Sequence, residues 1–260
     1  MISTGSLSFG VSRGQVQMTL LGKRYRGPIV SLAGTLVRVN NWDRKPSWDK
    51  SGLLNDNVFR GKLEARIEGG KLILINELPL EDYLAGIAEI SNGDPTEKVR
   101  TIIVAARSYA LYYTGRDRKF AGKPYDGSDD PDVFQKYLGY GYEKRSPTTL
   151  ENVRATTGQV IKLSGTIIKP WYFNQSTGRT LSALEYCEGR KSRGEISSTA
   201  TCKDIPYLQS VADPGSEGRE QRGHGVGISG AGATYYAGLG WTHEQIIEYY
   251  LTGVKVEAGY

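Results

Sequence analysis

Glu89 is the residue whose surroundings best suit proton transfer to a substrate. It lies in the decapeptide GIAEISNGDP, residues 86–95, where its neighbours are apolar or small. Burial in a partly apolar cleft raises the pKa of a carboxyl group, because burial disfavours the charged form. Such a group can protonate the leaving oxygen of a glycoside near neutral pH. From the decapeptide alone, a solvated glutamate at a helix end is the better interpretation.

A glycine-rich stretch, GHGVGISGAGA at residues 223–233, contains His224, one of two histidines in the chain. Closely spaced glycines let the backbone turn tightly and approach a ligand. The stretch lacks the ending of a P-loop and the surroundings of a dinucleotide-binding fingerprint. A glycine-rich turn with a surface histidine is the local alternative. We expect no metal site here, because no Cys or His accompanies His224 at ligand spacing.

A polar turn follows a predicted strand in WYFNQSTGRT, residues 171–180. Its hydroxyl groups, including that of Ser176, could bind a sugar. A nucleophile and base pair of Ser176 and His224 is conceivable, but nothing marks a third member and the turn is no nucleophile elbow. A serine hydrolase is therefore a minor hypothesis.

The loop YDGSDDPDVFQKYLG, residues 125–139, offers Tyr125, Gln135 and Tyr137 as sugar-binding groups. Aromatic faces and amide hydrogen bonds suit a polar polymer in a cleft. The alternative is a tyrosine-rich loop packed on the core.

Cys187 and Cys202 are the only cysteines, and they enclose a polar segment. A disulfide between them would stabilise the fold by roughly 3 kcal/mol on the loop-entropy model. It would also imply an oxidising, extracytoplasmic compartment. Two unrelated thiols are the alternative.

The composition is that of a soluble globular protein, with 260 residues, 38% hydrophobic and 23% charged. No apolar run is long enough for a transmembrane helix, and the start, MISTGSLSFG, shows no signal peptide, as if a leader had been removed. The net charge of +5 favours a polyanionic or envelope partner. The basic residues form no block, so nucleic acid is not expected as a partner.

The pattern of elements predicts an α+β fold with mixed, mainly antiparallel sheets, a few helices and a β-rich N-terminal part. A hairpin is expected around Gly69-Gly70. A short amphipathic helix is expected from Leu80, carrying Glu89 near its end. We predict two parts, a β-rich segment over 1–57 and a catalytic domain over 58–260.

A second helix is expected to begin at the capping sequence DPTE. Asp94 is the predicted N-cap, Pro95 the first helical residue and Glu97 the partner in a capping box. The helix should end at Gly115. Later segments predict a short helix in PTTLENVRATT, strands in GQVIKLS and IIKPWYFNQS, a helix from Thr242 to Leu251 and a last short strand.

Together, the ordered motifs resemble the stage II sporulation protein D family (SpoIID/LytB type) over roughly residues 58–256. The motifs are INELPLEDYLAGIAEI, VAARSYALYY, QKYLG, ATTGQVI, FNQSTGRTLSA, PYLQSV and GHGVGISGAGA.

The resemblance implies a lytic transglycosylase that cleaves the β-1,4 bond between N-acetylmuramic acid and N-acetylglucosamine of peptidoglycan, leaving 1,6-anhydro ends. The family's catalytic glutamate falls on Glu89, and Arg107 is retained. By motif position, Ser176, Gln135, Tyr137 and His224 would contact the substrate, with Tyr125 beside them.

The implied partners are peptidoglycan glycan strands, peptide-free in the sporulation member, together with other cell-wall hydrolases. The implied location is the cell envelope, and no cofactor is implied. Ordinary glycosidases need two carboxylates, whereas in this reaction the substrate's own hydroxyl is the nucleophile.

The chain departs from the family pattern at Ile102, Gln175 and Gly230. The segment that carries zinc-binding Cys and His in some sporulation members reads SDDPDVFQ here, so no zinc is expected. The departures leave open a second hypothesis, a non-catalytic peptidoglycan-binding protein or amidase stimulator of the same family.

Overall fold

The computed structural model describes residues 5–47, 49–115 and 118–260. Predictions that involve residues 1–4, Trp48 and residues 116–117 lie outside the described residues. Within the described ranges the chain forms eleven strands and seven α-helices in mixed sheets. The predicted α+β class is confirmed.

The chain divides into two compact units. The first comprises residues 1–89 and 128–150, and the second comprises residues 90–127 and 151–260. The division after residue 57 stays a prediction, although strands on both sides of it pair within one sheet.

The first unit contains a six-stranded sheet in the order β3-β2-β1-β4-β5-β6. The strands are β1 Gly5–Ser12, β2 Gln15–Leu20, β3 Lys23–Gly27, β4 Ile29–Val39, β5 Val58–Glu68 and β6 Lys71–Glu77. Neighbours are antiparallel except β1 and β4, which run parallel. Alternate side chains of these strands, such as Leu7, Phe9 and Leu63, form a hydrophobic cluster on one face.

The hairpin predicted at Gly69-Gly70 is confirmed as the connection of β5 to β6. Both glycines have positive φ angles, 57° and 78°, which a two-residue turn between twisted strands requires.

Seven helices accompany the sheets. They are α1 Leu80–Ala85, α2 Thr96–Thr114, α3 Tyr140–Arg145, α4 Pro147–Ala155, α5 Ala183–Ser192, α6 Gly230–Gly238 and α7 His243–Tyr250. In the first unit, α3 is tied to the sheet by Arg60 of β5, whose Nε donates to Glu143 at 2.6 Å. Arg145 of the same helix donates to both oxygens of buried Asp56.

The second unit is built around α2, which packs against α6, α7 and strand β7. Its strands are β7 Gln159–Leu163, β8 Thr166–Ile167, β9 Tyr172–Phe173, β10 Ile228–Ser229 and β11 Lys255–Ala258. The sheet β11-β7-β8 is antiparallel, and β9 pairs in parallel with β10. The predicted elements at 147–163, 242–251 and the last strand are confirmed.

The predicted disulfide is confirmed: Cys187 and Cys202 are bonded, with their Cα atoms 5.5 Å apart. Cys187 lies on α5, a helix that the sequence pattern did not predict and that Ser182 and Glu185 begin with a capping box. Among the described residues, no helix is long and apolar enough to cross a membrane.

Two predictions about helix ends are wrong. The helix from Leu80 ends at Ala85, so Glu89 lies beyond it in a bend. Asp94 does not cap α2, whose N-cap is Pro95. Instead its carboxylate accepts from the Ser91 N–H at 2.8 Å and from Lys98 at 2.7 Å, while Glu97 is used by another contact described below.

Candidate active site

Glu89 is positioned by backbone pairing with a segment far along the chain. Helix α1 stops at Gly86, and the next residue, Ile87, forms an antiparallel bridge with Tyr137. The Leu138 N–H donates to the Gly86 carbonyl at 2.9 Å, and the Ala88 N–H donates to the Lys136 carbonyl at 2.8 Å. This pairing directs the chain out of the helix and fixes the residue that follows.

The carboxylate of Glu89 receives one hydrogen bond from the same segment. The backbone N–H of Lys136 donates to Glu89 Oε1 at 2.7 Å. Because the donor is a main-chain group already held by the bridge, the carboxyl group has a fixed position without a strong ionic partner.

Burial raises the pKa of Glu89 above its ordinary value of 4.5. The hydrogen bond and the positive charge of Lys136 act in the opposite direction, and burial prevails. A carboxyl group of this kind is available as a proton donor at a higher pH than an exposed glutamate.

Gly86 permits the close approach of the two segments. A side chain built at this position would place its Cβ atom 2.5 Å from the ring of Tyr137. The ring of Tyr137 also stacks on that of Tyr83 in α1, with centroids 5.2 Å apart. The glycine is therefore a packing requirement of the Glu89 segment.

Gln135 and Tyr137 flank the residue that binds Glu89, and both are buried. Gln135 accepts a hydrogen bond from the Tyr83 hydroxyl at 3.0 Å, and the Tyr137 hydroxyl donates to Asn76 at 2.8 Å. Burial raises the pKa of Tyr137, so its hydroxyl stays protonated. These contacts favour a positioning role for both residues over the predicted direct contact with a sugar.

Ser176 lies in the second unit in a buried polar network. Its hydroxyl donates to Asp213 at 2.6 Å, and the other carboxylate oxygen of Asp213 accepts from Tyr250 at 2.7 Å. All three residues are almost completely buried. The network explains the polar turn in structural terms, and its member Asp213 was not singled out by the sequence.

His224 is hydrogen-bonded through both ring nitrogens. The Val226 N–H donates to Nδ1 at 3.1 Å, so the proton is on Nε2, which donates to the Tyr172 carbonyl at 3.1 Å. Burial lowers the pKa of His224 to about 4, so the ring is neutral. The minor hypothesis of a Ser176 and His224 catalytic pair is not supported, because each side chain is bound to another partner.

A cavity of about 540 Å³ in the second unit has His224 in its lining. The ring of Tyr186 on α5 contributes, 6.0 Å from that of His224. Charged groups of the same lining, Glu185, Arg193 and Glu195, come from α5 and the segment that the disulfide closes. This lining suits a polar ligand, and the role of His224 in contacting substrate stays a prediction.

Arg107 and Tyr125 also lie in the second unit. Arg107 is completely buried, and its guanidinium donates to the Gln159 carbonyl at 3.1 Å. This burial favours a structural role over the predicted substrate contact. Tyr125 is partly buried, and its ring lies 5.3 Å from that of Phe120.

One cluster in the second unit has the composition of a metal site. Ligand atoms of Glu97, His243 and Glu244 lie within 4.8 Å of one another. The ring of His243 is already engaged, with Nδ1 3.0 Å from Glu97 and Nε2 2.7 Å from the side-chain oxygen of Gln159. We regard the cluster as a structural network that joins the starts of α2 and α7.

Sequence reasoning missed Lys136, whose contribution is a backbone N–H. Any residue except proline supplies that group, so no residue type could reveal it. Tyr83 and Asn76 were missed for another reason. Tyr83 belongs to the apolar stripe of a predicted helix and Asn76 to a predicted strand, so neither needed a functional explanation. Only the pairing of distant segments identifies their role.

Comparison with known proteins confirms the resemblance for one segment. Residues 68–163 match a family described as stage II sporulation protein, SpoIID. This segment is similar to the SpoIID family. The match begins in the hairpin of β5 and β6 and includes Glu89, Arg107 and Gln135.

An uncharacterized protein of Brachyspira hyodysenteriae is 32% identical over 133 residues. The aligned part is 50% of this chain and 34% of the relative. The chain therefore matches about a third of the length of that curated relative, whose printed name assigns no activity.

Proposed function

We propose that this chain is a lytic transglycosylase of peptidoglycan glycan strands, with Glu89 as general acid and base. The SpoIID-type segment supports a cell-wall role, and the disulfide supports the extracytoplasmic location that such a substrate requires. The observation that carries the proposal is the setting of Glu89. Its carboxyl group has a raised pKa through burial and a fixed position through one backbone hydrogen bond.

The chemistry requires one carboxyl group in two protonation states. Protonated Glu89 gives its proton to the oxygen that links C1 of N-acetylmuramic acid to N-acetylglucosamine, and the C1–O bond breaks. The resulting carboxylate then takes the proton of the 6-hydroxyl of the same muramic acid, whose oxygen bonds to C1. The products are a 1,6-anhydro end and a free 4-hydroxyl, and the carboxyl group is again protonated.

The environment of Glu89 suits both proton transfers. A raised pKa favours proton donation in the first step. In the second step the Lys136 N–H stays on one oxygen and leaves the other able to accept the proton. Gln135 and Tyr137 would hold this arrangement through their buried contacts with Tyr83 and Asn76. We retain His224 and Tyr125 as proposed contributors to substrate binding, whereas buried Arg107 and Ser176 would act through the packing of the second unit.

The test compares Glu89→Gln with Glu97→Gln on peptide-free glycan strands, with mass analysis of the products. Glutamine at 89 can still accept the Lys136 hydrogen bond but cannot donate a proton, so we expect a loss of about 10²–10⁴-fold in rate. Glu97→Gln removes a partly buried carboxylate nearby in the sequence, and we expect its activity to stay near that of the parent at 25 °C. Anhydro products at the parental rate from Glu89→Gln would refute the assignment.

The second hypothesis, a non-catalytic wall-binding or amidase-stimulating protein, predicts a different result. The parent chain would sediment with insoluble peptidoglycan yet release no soluble product from peptide-free or intact material. Glu89→Gln would then leave the binding to insoluble peptidoglycan unchanged.

A further inference from the structure

The net positive charge of this protein comes from the segment that contains its first four strands. Residues 1–42 contain five basic residues and no Asp or Glu, whereas the remaining 218 residues contain 28 of each sign. The five are Arg13, Lys23, Arg24, Arg26 and Arg38. The whole net charge of +5 therefore comes from residues 1–42.

Three of these basic residues, Lys23, Arg24 and Arg38, lie towards one end of the sheet, and Arg26 lies further along β3, paired with Gln17. The register pairs Leu7 of β1 with Leu20 of β2, and Leu20 with Lys23 of β3. Arg24 follows Lys23 by one residue along β3. On the other side of β1, Arg38 pairs with the residue that precedes Leu7, so it belongs to the same end.

All five side chains are exposed, and among the described residues none of them forms an ion pair. Three carboxylates follow β4 along the chain, and each has other partners. Asp49 accepts from the Leu54 N–H at 2.8 Å. Asp56 is buried and bound by Arg145, and Asp43 lies 3.5 Å from Lys45. No ion pair among the described residues therefore neutralises these five side chains.

An exposed apolar residue stands at the same end. Leu21 forms the tip of the β2–β3 hairpin with Gly22, and its side chain is 75% exposed. Its φ angle is +49°, a conformation that turns of this kind normally give to Asn or Gly. Tyr25, on the edge strand two residues beyond Lys23, is 43% exposed.

Protection of the sheet edge against aggregation accounts for charges on β3. It does not require charges of one sign only, and it does not account for a leucine at the tip. A soluble polyanion would use the charges but would gain nothing from Leu21. An exposed apolar tip, a nearby aromatic residue and several basic side chains of the same sheet region are together typical of proteins that rest on an anionic lipid surface.

We propose that this surface, formed by Leu21, Lys23, Arg24, Arg26 and Arg38 and called here the basic hairpin surface, binds anionic phospholipid headgroups with Leu21 inserted among them. The occupant is a membrane surface, and the contact is peripheral. It would hold the chain beside the membrane that faces the cell wall, independently of the chemistry at Glu89.

The test measures partition of the purified chain onto vesicles of phosphatidylcholine alone and with 30 mol% phosphatidylglycerol. We expect binding to the anionic vesicles that is at least tenfold tighter than to neutral ones. It should be largely lost at about 1 M salt, where the Debye length falls to roughly 3 Å. Replacement of Arg24 and Arg26 by Gln should weaken binding by about fivefold for each residue.

The variant Leu21→Asn separates lipid binding from binding of a soluble polyanion. Asparagine suits the turn, so the fold is kept, and the loss of the inserted side chain should weaken vesicle binding about tenfold. Leu53→Asn is the matched control, because Leu53 is 86% exposed in a loop of the same unit and its loss should have no effect. Thermal unfolding confirms that each variant is folded.

Three outcomes would overturn the proposal. They are equal binding to neutral and anionic vesicles, vesicle binding that is the same for Leu21→Asn as for the parent, and tight binding of polyphosphate or duplex DNA with none to vesicles. The last outcome would assign the surface to a soluble polyanion.

Discussion

Glu89 and Glu97 are both partly buried glutamates, separated by eight positions in the chain, and the protein surrounds them differently. Within the described ranges, the carboxylate of Glu89 has one hydrogen-bond donor, the Lys136 N–H. Glu97 accepts from Arg100 at 2.8 Å and from the backbone N–H of His243 at 2.7 Å, with the His243 ring 3.0 Å away.

The pKa directions follow from this difference. Burial raises the pKa of both carboxyl groups, but the donors around Glu97 more than offset it and leave its pKa lowered. Burial alone therefore does not prepare a glutamate for proton transfer. The number of donors decides whether the carboxylate is fixed as a structural anion or remains able to exchange a proton.

The largest effect is expected from Gly86→Ala, which would displace the Glu89 segment and leave Glu97 in place. The added methyl group would meet the Tyr137 ring and displace the segment that carries Glu89. A displacement of about 1 Å can cost roughly 10²-fold in rate, so we expect a loss of that size in kcat. Gly93→Ala is the control, because nothing lies within 4 Å of a Cβ atom there. Equal activity of the two variants would show that the Glu89 segment need not be held as the structure has it.

Stability should change in opposite directions when each glutamate is replaced by Gln at pH 7. Glu97→Gln leaves a donor of His243 or Arg100 unsatisfied, and we expect the free energy of unfolding to fall by about 1–3 kcal/mol. Glu89→Gln removes a charge that burial disfavours, and we expect a gain of about 0.5–1 kcal/mol. Chemical denaturation of both variants measures the two changes. A loss of stability in Glu89→Gln would mean that its carboxylate is a structural anion after all.

The contributions of Glu89 and Glu97 to the free energy of unfolding also change with pH, and they change in opposite directions. The lowered pKa of Glu97 gives stability that is present above its ordinary value of 4.5 and is lost as the pH falls. The raised pKa of Glu89 makes the folded state lose stability as the pH rises above 4.5. The free energy of unfolding can be measured between pH 3 and pH 8. The loss of stability at low pH should disappear in Glu97→Gln, and the loss of stability above pH 4.5 should disappear in Glu89→Gln.

The smallest effect is expected from Lys136→Gln. The backbone hydrogen bond to Glu89 is retained, and only the positive charge that lowers the pKa of Glu89 is removed. The activity should fall with rising pH as the acid form of Glu89 is lost, and this limb should move to higher pH in the variant. An unchanged pH profile would mean that Glu89 is not the group whose titration limits the rate.

Local signals in the sequence predicted much of the fold. The Gly69-Gly70 hairpin, the end of α2 at Gly115, α7 after Thr242 and the disulfide all depend on short stretches, and all are present. The end of α1 was placed too late, because apolar residues at helical spacing continue to Ile90. The bridge from Ile87 to Tyr137 takes priority over that pattern, since tertiary hydrogen bonds outweigh a weak helix propensity.

For the candidate site, the motifs of the sequence were enough to identify Glu89 and its apolar neighbours. The environment of Glu89 depends on long-range pairing. The Lys136 N–H comes from 47 residues away, and Tyr83 and Asn76 hold Gln135 and Tyr137 in place. The same holds for Glu97, where the sequence indicated a capping box and a contact with His243 prevailed. The physical reason is that a pKa depends on burial and on donors in space, and both are set by which distant segments pair.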